Sequence, residues 1–421
     1  MSHFVLADCN NFYVSCERML HPKLEEKPVI VLSQNDGCVI SRSQEAKQLG
    51  IKMGEPFFKV KEYCERAKVI VYSSNYQLYG DISERVMNSL SQFAPEMQIY
   101  SIDEAFLKFP ITLSDEEMFA ECMRIKKLIK KWVGIPISIG IAPTKTLAKV
   151  ANSLAKQNRD LGVFSLNEPL SREAILKEYP IEDVWGIGRR LSKRLKGIGI
   201  LTVWDFIQLT PYFVRKTMGV VGERMLLELQ GISALDLEES SPKQSITFSR
   251  SFGRKVTDIS ELGEALATFV SKACVKLRKQ KQYAAALLVY LQFFSQDGES
   301  LQGNHMIYSF PSPTDDTIEM IAATKQCLTK LYIDKKKYKK CGVILLDLKS
   351  AEQFMPDLFQ KGPDIKRQQV MRAMDKLNTR LKKRTVFLGG TGIHQDWKSR
   401  SDQRSPYNTT SWDHLPIVKA Y

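Results

Sequence analysis

The order of short apolar strands and amphipathic helices between residues 3 and 156 constrains this chain more than any other feature. An apolar strand (HFVLADC) turns helical near Asn10, and residues 75–93 carry apolar positions at helical spacing. Residues 99–109 (IYSIDEAFLKF) read as two short strands meeting at residues 101–103. A helix with basic outer positions follows over 115–133, then a strand over 135–141 and a helix over 144–156. Strand, helix, strand pair, helix, strand is the βαββαβ order of a ferredoxin-like sheet. Residues 11–71 then form an insertion after the first strand, with a strand of its own over 27–32 and a glycine-ended helix over 43–50.

The texture changes near residue 170. The run VWGIGRRLSKRLKGIGILTVWDF places two G-I-G turns between short helices. Residues 235–245 are polar and contain proline, which suits a linker. Beyond them, strands (ITFSRSFG, ALLVYLQFF, CGVILLDL) alternate with helices predicted over 261–279 and 317–332, a second α+β domain. Residues 349–421 have weak periodicity and read as a tail with short folded pieces. At 421 residues the chain is too long for one core, so the predicted class is α+β and multidomain.

Charge points toward a polyanion. The chain has 61 Lys+Arg against 47 Asp+Glu, a formal net charge of +14. At 43% hydrophobic and 26% charged residues it is globular. No apolar run approaches the roughly 18 residues that span a bilayer. The first eight residues lack the basic start of a signal peptide, so the expected location is cytoplasmic, with no membrane contact. The eight cysteines form no C-x-x-C pair and read as reduced, mostly buried thiols.

Asp8 ends the first strand, and Asp103 and Glu104 lie at the tip of the 99–109 strand pair. In a ferredoxin-like sheet these elements are neighbours, so the three acids can converge. Each alone reads as a turn residue. Together, in a basic chain, they suit magnesium-assisted phosphoryl or nucleotidyl transfer, because Mg2+ takes oxygen ligands from a few carboxylates. A DNA-binding scaffold without catalysis, or a ferredoxin-like cyclase, are the competing readings. The first does not need the three acids, and the second does not explain the G-I-G element or the basic C-terminal domain.

The stretches D-C-N-N-F-Y-V-S-C-E (residues 8–17) and Y-S-I-D-E-A (residues 100–105) resemble the two metal-binding motifs of Y-family DNA polymerases. The resemblance continues through N-D-G-C-V-I-S-R-S-Q-E-A-K (35–47), S-S-N-Y-Q-L-Y (73–79), G-I-A-P-T-K-T-L-A-K-V-A-N (140–152), V-W-G-I-G-R-R (184–190) and S-R-S-F-G (249–253). It covers essentially the whole chain. Within the family it is strongest toward the UmuC subgroup, whose tail the S-P-Y-N-T-T-S-W stretch (405–412) resembles.

The resemblance implies a right-hand polymerase: a ferredoxin-like palm (1–10 and 73–168), small fingers (11–72), a helix-hairpin-helix thumb (169–239), an α+β little finger (242–350) and a C-terminal tail (351–421). It implies error-prone synthesis across damaged DNA without proofreading, of the SOS type, with two Mg2+ ions on Asp8, Asp103, Glu104 and the Cys9 carbonyl. Asn11, Phe12, Tyr13, Ser41, Lys47 and Lys156 fall at the triphosphate, with Tyr13 as the steric gate against a 2′-hydroxyl. Asn11 and Gln44 stand where many relatives carry tyrosine, and Lys47 where many carry arginine, whose bidentate fork lysine lacks. Gly186, Gly188, Arg189 and Arg190 fall at the phosphate-binding hairpin. Two basic clusters, Lys276–Arg278–Lys279–Lys281 and residues 335–340, lie in the little finger. The implied partners are primer-template DNA, dNTPs, a processed UmuD-like dimer, RecA and a sliding clamp reached through Gln353, Leu358 and Phe359.

Overall fold

A computed structural model describes residues 2–110, 112–158, 160–238, 243–295, 300–352, 354, 364–381, 385–405 and 409. Two compact units divide the chain, one of Met1–Ser33, Gly37–Ser240 and Gln403–Tyr421, the other of Gln34–Asp36 and Ser241–Asp402.

The first unit opens with β1 (Ser2–Cys9) and α1 (Phe12–Leu20). The insertion supplies β2 (Val29–Leu32), β3 (Val39–Arg42), α2 (Gln44–Gln48), α3 (Phe57–Arg66) and β4 (Ile70–Ser73). Its three strands form their own sheet in the order β3-β2-β4. Then come α4 (Tyr76–Leu90), β5 (Glu96–Ile99), β6 (Glu104–Pro110), α5 (Asp115–Val133), β7 (Ile137–Ala142), α6 (Lys145–Ala155) and β8 (Val163–Ser165). The main sheet runs β5-β6-β1-β7-β8, with β1 antiparallel to both β6 and β7. Leaving out the edge strand β8, this is the ferredoxin-like order. The strand β8 is a departure from the sequence reading: at three residues it is too short to leave a periodic signal.

Local chemistry explains these boundaries. The α5 helix begins with a capping box, in which Ser114 accepts from the Glu117 N–H and Glu117 reaches back to the Ser114 N–H, and it ends at Gly134 with φ 83°. The α6 helix is capped by Thr144. It lies so close on β7 that a Cβ at Gly140 would sit 2.3 Å from the Asn152 backbone nitrogen, so only glycine fits there. Asn152 then donates to the carbonyls of Leu6 (3.3 Å) and Ser138 (2.8 Å), fixing α6 across β1 and β7.

Helices α7 (Pro169–Glu178), α8 (Arg189–Lys196), α9 (Val203–Ile207) and α10 (Pro211–Leu229) complete the first unit. Glu228 of α10 is fully buried. Its carboxylate accepts from the backbone N–H groups of Thr146 (3.0 Å), Ala234 (2.8 Å) and Leu235 (3.0 Å), and its carbonyl accepts from Thr144 Oγ1 (2.8 Å). One side chain thus ties α10 to the start of α6.

The second unit contains β9 (Ile246–Val256), α11 (Ile259–Lys279), β10 (Gln282–Phe294), β11 (Leu301–Thr314), α12 (Thr317–Leu331), β12 (Tyr338–Ser350) and α13 (Ile365–Arg380). Its antiparallel sheet runs β11-β10-β12-β9. Two long elements depart from the sequence reading. The strand β11 is mostly exposed and meets the core only through Met306, Tyr308 and Phe310, and α13 buries only Met371, so each gives a weak apolar signal. A third departure is Arg278. It is buried rather than part of an exposed basic cluster, and Asp375 holds it bidentately at 2.7 and 3.0 Å. All eight cysteines are free, and all but Cys38 are buried. Among the described residues no helix is long and apolar enough to cross a membrane.

Replacing Glu228 by alanine strands three N–H donors, one buried and two partly buried. Urea unfolding of Glu228→Ala is expected to show a loss of about 2–4 kcal/mol. A loss below about 0.5 kcal/mol, the range of an ordinary surface substitution, contradicts this role for Glu228.

Candidate active site

The strand register brings the acids together. In the β1–β6 ladder Asp8 stands directly opposite Glu104, and the Cys9 N–H donates to the Asp103 carbonyl at 2.9 Å. The turn before Glu104 is held to α4 by Ser83, whose hydroxyl donates to the Ile102 carbonyl at 2.5 Å. A cavity of about 470 Å³ opens here. It is lined by Asp8, Cys9, Asn11, Phe12, Tyr13, Ser41, Lys47, Asp103, Glu104 and Lys156, and also by Asn10, Ile40, Arg42, Met53 and Ile102. Every residue predicted for the metals and the triphosphate therefore faces one space. Gly188 and Arg189 line a separate cavity with Ser192, Lys193 and Lys196, and Gly186, at φ 95°, makes the turn that leads into it. Arg190 is exposed beside them. The candidate clamp residues Gln353, Leu358 and Phe359 lie outside the described residues.

Each acid is engaged. Asp8 is buried, with Oδ2 2.7 Å from Lys156 Nζ. Glu104 Oε2 lies 2.6 Å from Lys149 Nζ. Asp103 Oδ1 accepts from Ser101 Oγ at 2.6 Å. Among the described residues no three acidic, histidine or cysteine side chains already form a metal cage. The donor set nonetheless fits a hard divalent cation: oxygens converge from two paired strands, and lysine ammonium groups stand where positive charge is needed.

Burial, with the hydrogen bond to Glu104 adding to it, pushes the Asp8 carboxyl up to about 7, and Lys156 opposes the rise. Burial acts on Glu104 in the same direction, but the bonds from Asp8 and Lys149 hold it below the usual carboxylate range. The pairing thus moves the two carboxyls in opposite directions, Asp8 up and Glu104 down.

Two cations at the site, Lys149 and Arg42, were missed from sequence. Lys149 and Lys156 are seven residues apart, two turns of α6, so the helix presents both to the same acids. Lys149 also lies 4.5 Å from the centre of the Tyr100 ring. Arg42 follows Ile40 by two residues on β3, and both line the cavity. The Arg42 Nε is buried without a hydrogen-bond partner among the described residues.

Tyr13 lies in the first turn of α1. Its ring stacks on Tyr79 (centroids 4.5 Å apart, 17° between planes) and meets Tyr76 edge-on at 6.0 Å. Asn11 caps the helix at φ 47°, and the first-turn N–H groups of Phe12 and Tyr13 precede any intrahelical acceptor. The next N–H, of Val14, donates to Ser41 Oγ at 3.4 Å, joining α1 to β3.

Residues 7–153 match the model of the impB/mucB/samB family, and residues 243–358 match that family's C-terminal domain. The chain belongs to the impB/mucB/samB family of Y-family DNA polymerases. Residues 368–418 match a domain of unknown function, DUF4113. This family member is 40% identical to Protein UmuC of Salmonella typhimurium strain LT2, over 99% of this chain and 100% of that protein. It is 38% identical to Protein ImpB of Salmonella typhimurium, over 99% of both. Its fold is that of a solved Y-family DNA polymerase chimera, at TM-score 0.66 and 23% identity, over 83% of this chain and 99% of the other. It is a DNA-directed DNA polymerase of the error-prone, lesion-bypassing kind that uses divalent metal.

In the cation-free polymerase Asp8 is expected to titrate near 7. The folded value lies above the ordinary 3.8, so the stabilisation from neutral Asp8 is present below about pH 4 and is lost as pH rises through 7. Lys156→Met raises the midpoint and Glu104→Gln lowers it. Carboxyl 13C shifts against pH read this directly, and a wild-type midpoint near 4 contradicts it.

Proposed function

We propose that this polymerase extends a primer by two-metal nucleotidyl transfer with Mg2+ in the 470 Å³ cavity. In this reading Asp8, Asp103, Glu104 and the Cys9 main-chain carbonyl hold the two ions. The observation that carries it is the β1–β6 register, which sets Asp8 opposite Glu104 with Asp103 adjoining. When bound, the ions neutralise triphosphate charge and lower the pKa of the primer 3′-hydroxyl.

The chain's own residues do the remaining work. Lys47, Lys156 and Arg42 bring positive charge to the triphosphate, and the first-turn N–H groups at Asn11, Phe12 and Tyr13 offer it backbone donors. Ser41 fixes the distance between that helix start and the strand carrying Arg42. Lys149 orients Glu104. Tyr13 packs against the sugar and excludes a 2′-hydroxyl, since a stacked ring is rigid at little conformational cost.

The same reading names the domains: palm at 1–10 and 73–168, fingers at 11–72, thumb at 169–239, little finger at 242–350 and tail at 351–421. Gly186, Gly188, Arg189 and Arg190 grip DNA phosphates without reading sequence. Cytoplasmic location, a processed UmuD-like dimer, RecA and a sliding clamp as partners rest on similarity to UmuC proteins across 99% of the chain.

Primer extension tests the assignment. Asp103→Asn is expected to cut nucleotide addition by roughly 10³-fold with DNA affinity nearly unchanged, because the carboxylate acts on the ions and not on the duplex. Tyr13→Ala is expected to raise ribonucleotide incorporation by about two orders of magnitude while deoxyribonucleotide addition persists. Wild-type extension by the first variant, or wild-type sugar selectivity in the second, overturns the corresponding role.

A further inference from the structure

The end of the chain returns to the first unit. Ser73 and Arg404 form a parallel bridge, in which the Ser73 N–H donates to the Gln403 carbonyl at 3.0 Å and the Gln403 N–H donates to Ser73 Oγ at 3.0 Å. Arg404 donates to Asn75 Oδ1 at 2.9 Å. Asn75 Nδ2 donates to Ser405 Oγ at 3.0 Å, and Ser405 Oγ donates in turn to Glu17 Oε1 at 3.2 Å. Farther along, Thr409 Oγ1 bonds to Asp81 Oδ2 on α4.

Glu17 is not a surface acid. It is 0% exposed, and the same Oε1 accepts from the Tyr79 hydroxyl at 2.8 Å. Its Oε2 has no hydrogen-bond partner among the described residues, while Oε1 accepts from the Tyr79 and Ser405 hydroxyls. Burial pushes this carboxyl up to about 7, against the pull of Tyr79, Ser405 and Arg404. A buried carboxylate that loses a donor must take a proton or move toward water. Tyr79 would follow, and Tyr79 is the ring on which Tyr13 stacks. Glu17 lies four residues after Tyr13, on the same face of α1, so the tail, the acid and the two rings form one continuous path.

We propose that the C-terminal segment 403–405 is a positioning element for sugar selection: by bonding Glu17 it fixes Tyr79, and through the ring stack it fixes Tyr13 against the incoming nucleotide. This rests on Tyr13 being the sugar gate. It gives a task to the end of a region matched only as a domain of unknown function. Ser405, Glu17 and Tyr79 touch no substrate and act through Tyr13. Docking or release of the segment therefore changes which sugar is accepted without changing the catalytic carboxylates.

The test is steady-state incorporation of matched ribo- and deoxyribonucleotides by the full-length chain and its Ser405→Ala, Ser405→Thr and Tyr13→Ala variants, with melting temperatures alongside. Ser405→Ala is expected to lower sugar discrimination about five- to tenfold, the scale of one ordinary lost hydrogen bond, with kcat for the deoxyribonucleotide nearly unchanged. Ser405→Thr keeps the hydroxyl and restores discrimination. Adding Ser405→Ala to Tyr13→Ala produces no further loss, because both act through one ring. Wild-type discrimination in Ser405→Ala, when Tyr13→Ala has lost it, overturns the positioning role and leaves the gate standing. A lower melting temperature with equal loss for both sugars shows a purely structural contact and overturns it too. Unchanged discrimination in Tyr13→Ala removes the gate itself, and the positioning role with it.

Discussion

The site depends on β1 lying between β6 and β7 in one fixed register. Asp8 faces Glu104 only in that alignment. A slip of one residue on either side would turn the alternating side chains to the opposite face and separate the acids. The core makes the slip costly: Phe4, Val5, Leu6 and Ala7 are all buried, with even and odd positions packed into different clusters on the two faces of the sheet. The convergence of the acids is thus a by-product of hydrophobic packing on both sides of one strand.

The α6 helix adds the second constraint. Its close approach over Gly140, its Asn152 bonds to two strands and its tie to Glu228 leave it little freedom. It carries Lys149, and Lys156 caps its end, where both meet the acids. Positive charge held at these carboxylates keeps a group of like charges tolerable in a partly buried site. The same lysines mark where a cation fits.

Much of this was legible in the sequence, for physical reasons that differ by element. The α5 helix coincides with the predicted 115–133, because Ser114, Glu117 and Gly134 are unambiguous end signals. The ferredoxin-like order followed from elements long enough to show their period. The strands β8 and β11 and the helix α13 were not legible: the first is too short, and the others bury too little apolar surface. At the site, residues predicted for metal and triphosphate do line one cavity. Lys149 and Arg42 escaped because a lysine on a helix and an arginine on a strand end look like ordinary solvated residues until the fold aims them. The link from Ser405 to Glu17 spans 388 residues of sequence, and no local pattern announces it.

The proposed chemistry requires a divalent ion bound between the end of β1 and the turn before β6. Fe2+ substituted for Mg2+, with ascorbate and peroxide, cuts the backbone next to the bound ion. Cleavage is expected to cluster near residues 8 and 103, to be suppressed by excess Mg2+ and to be lost in Asp8→Asn. Cleavage elsewhere in the chain, or cuts near these residues that persist unchanged in that variant, would contradict it.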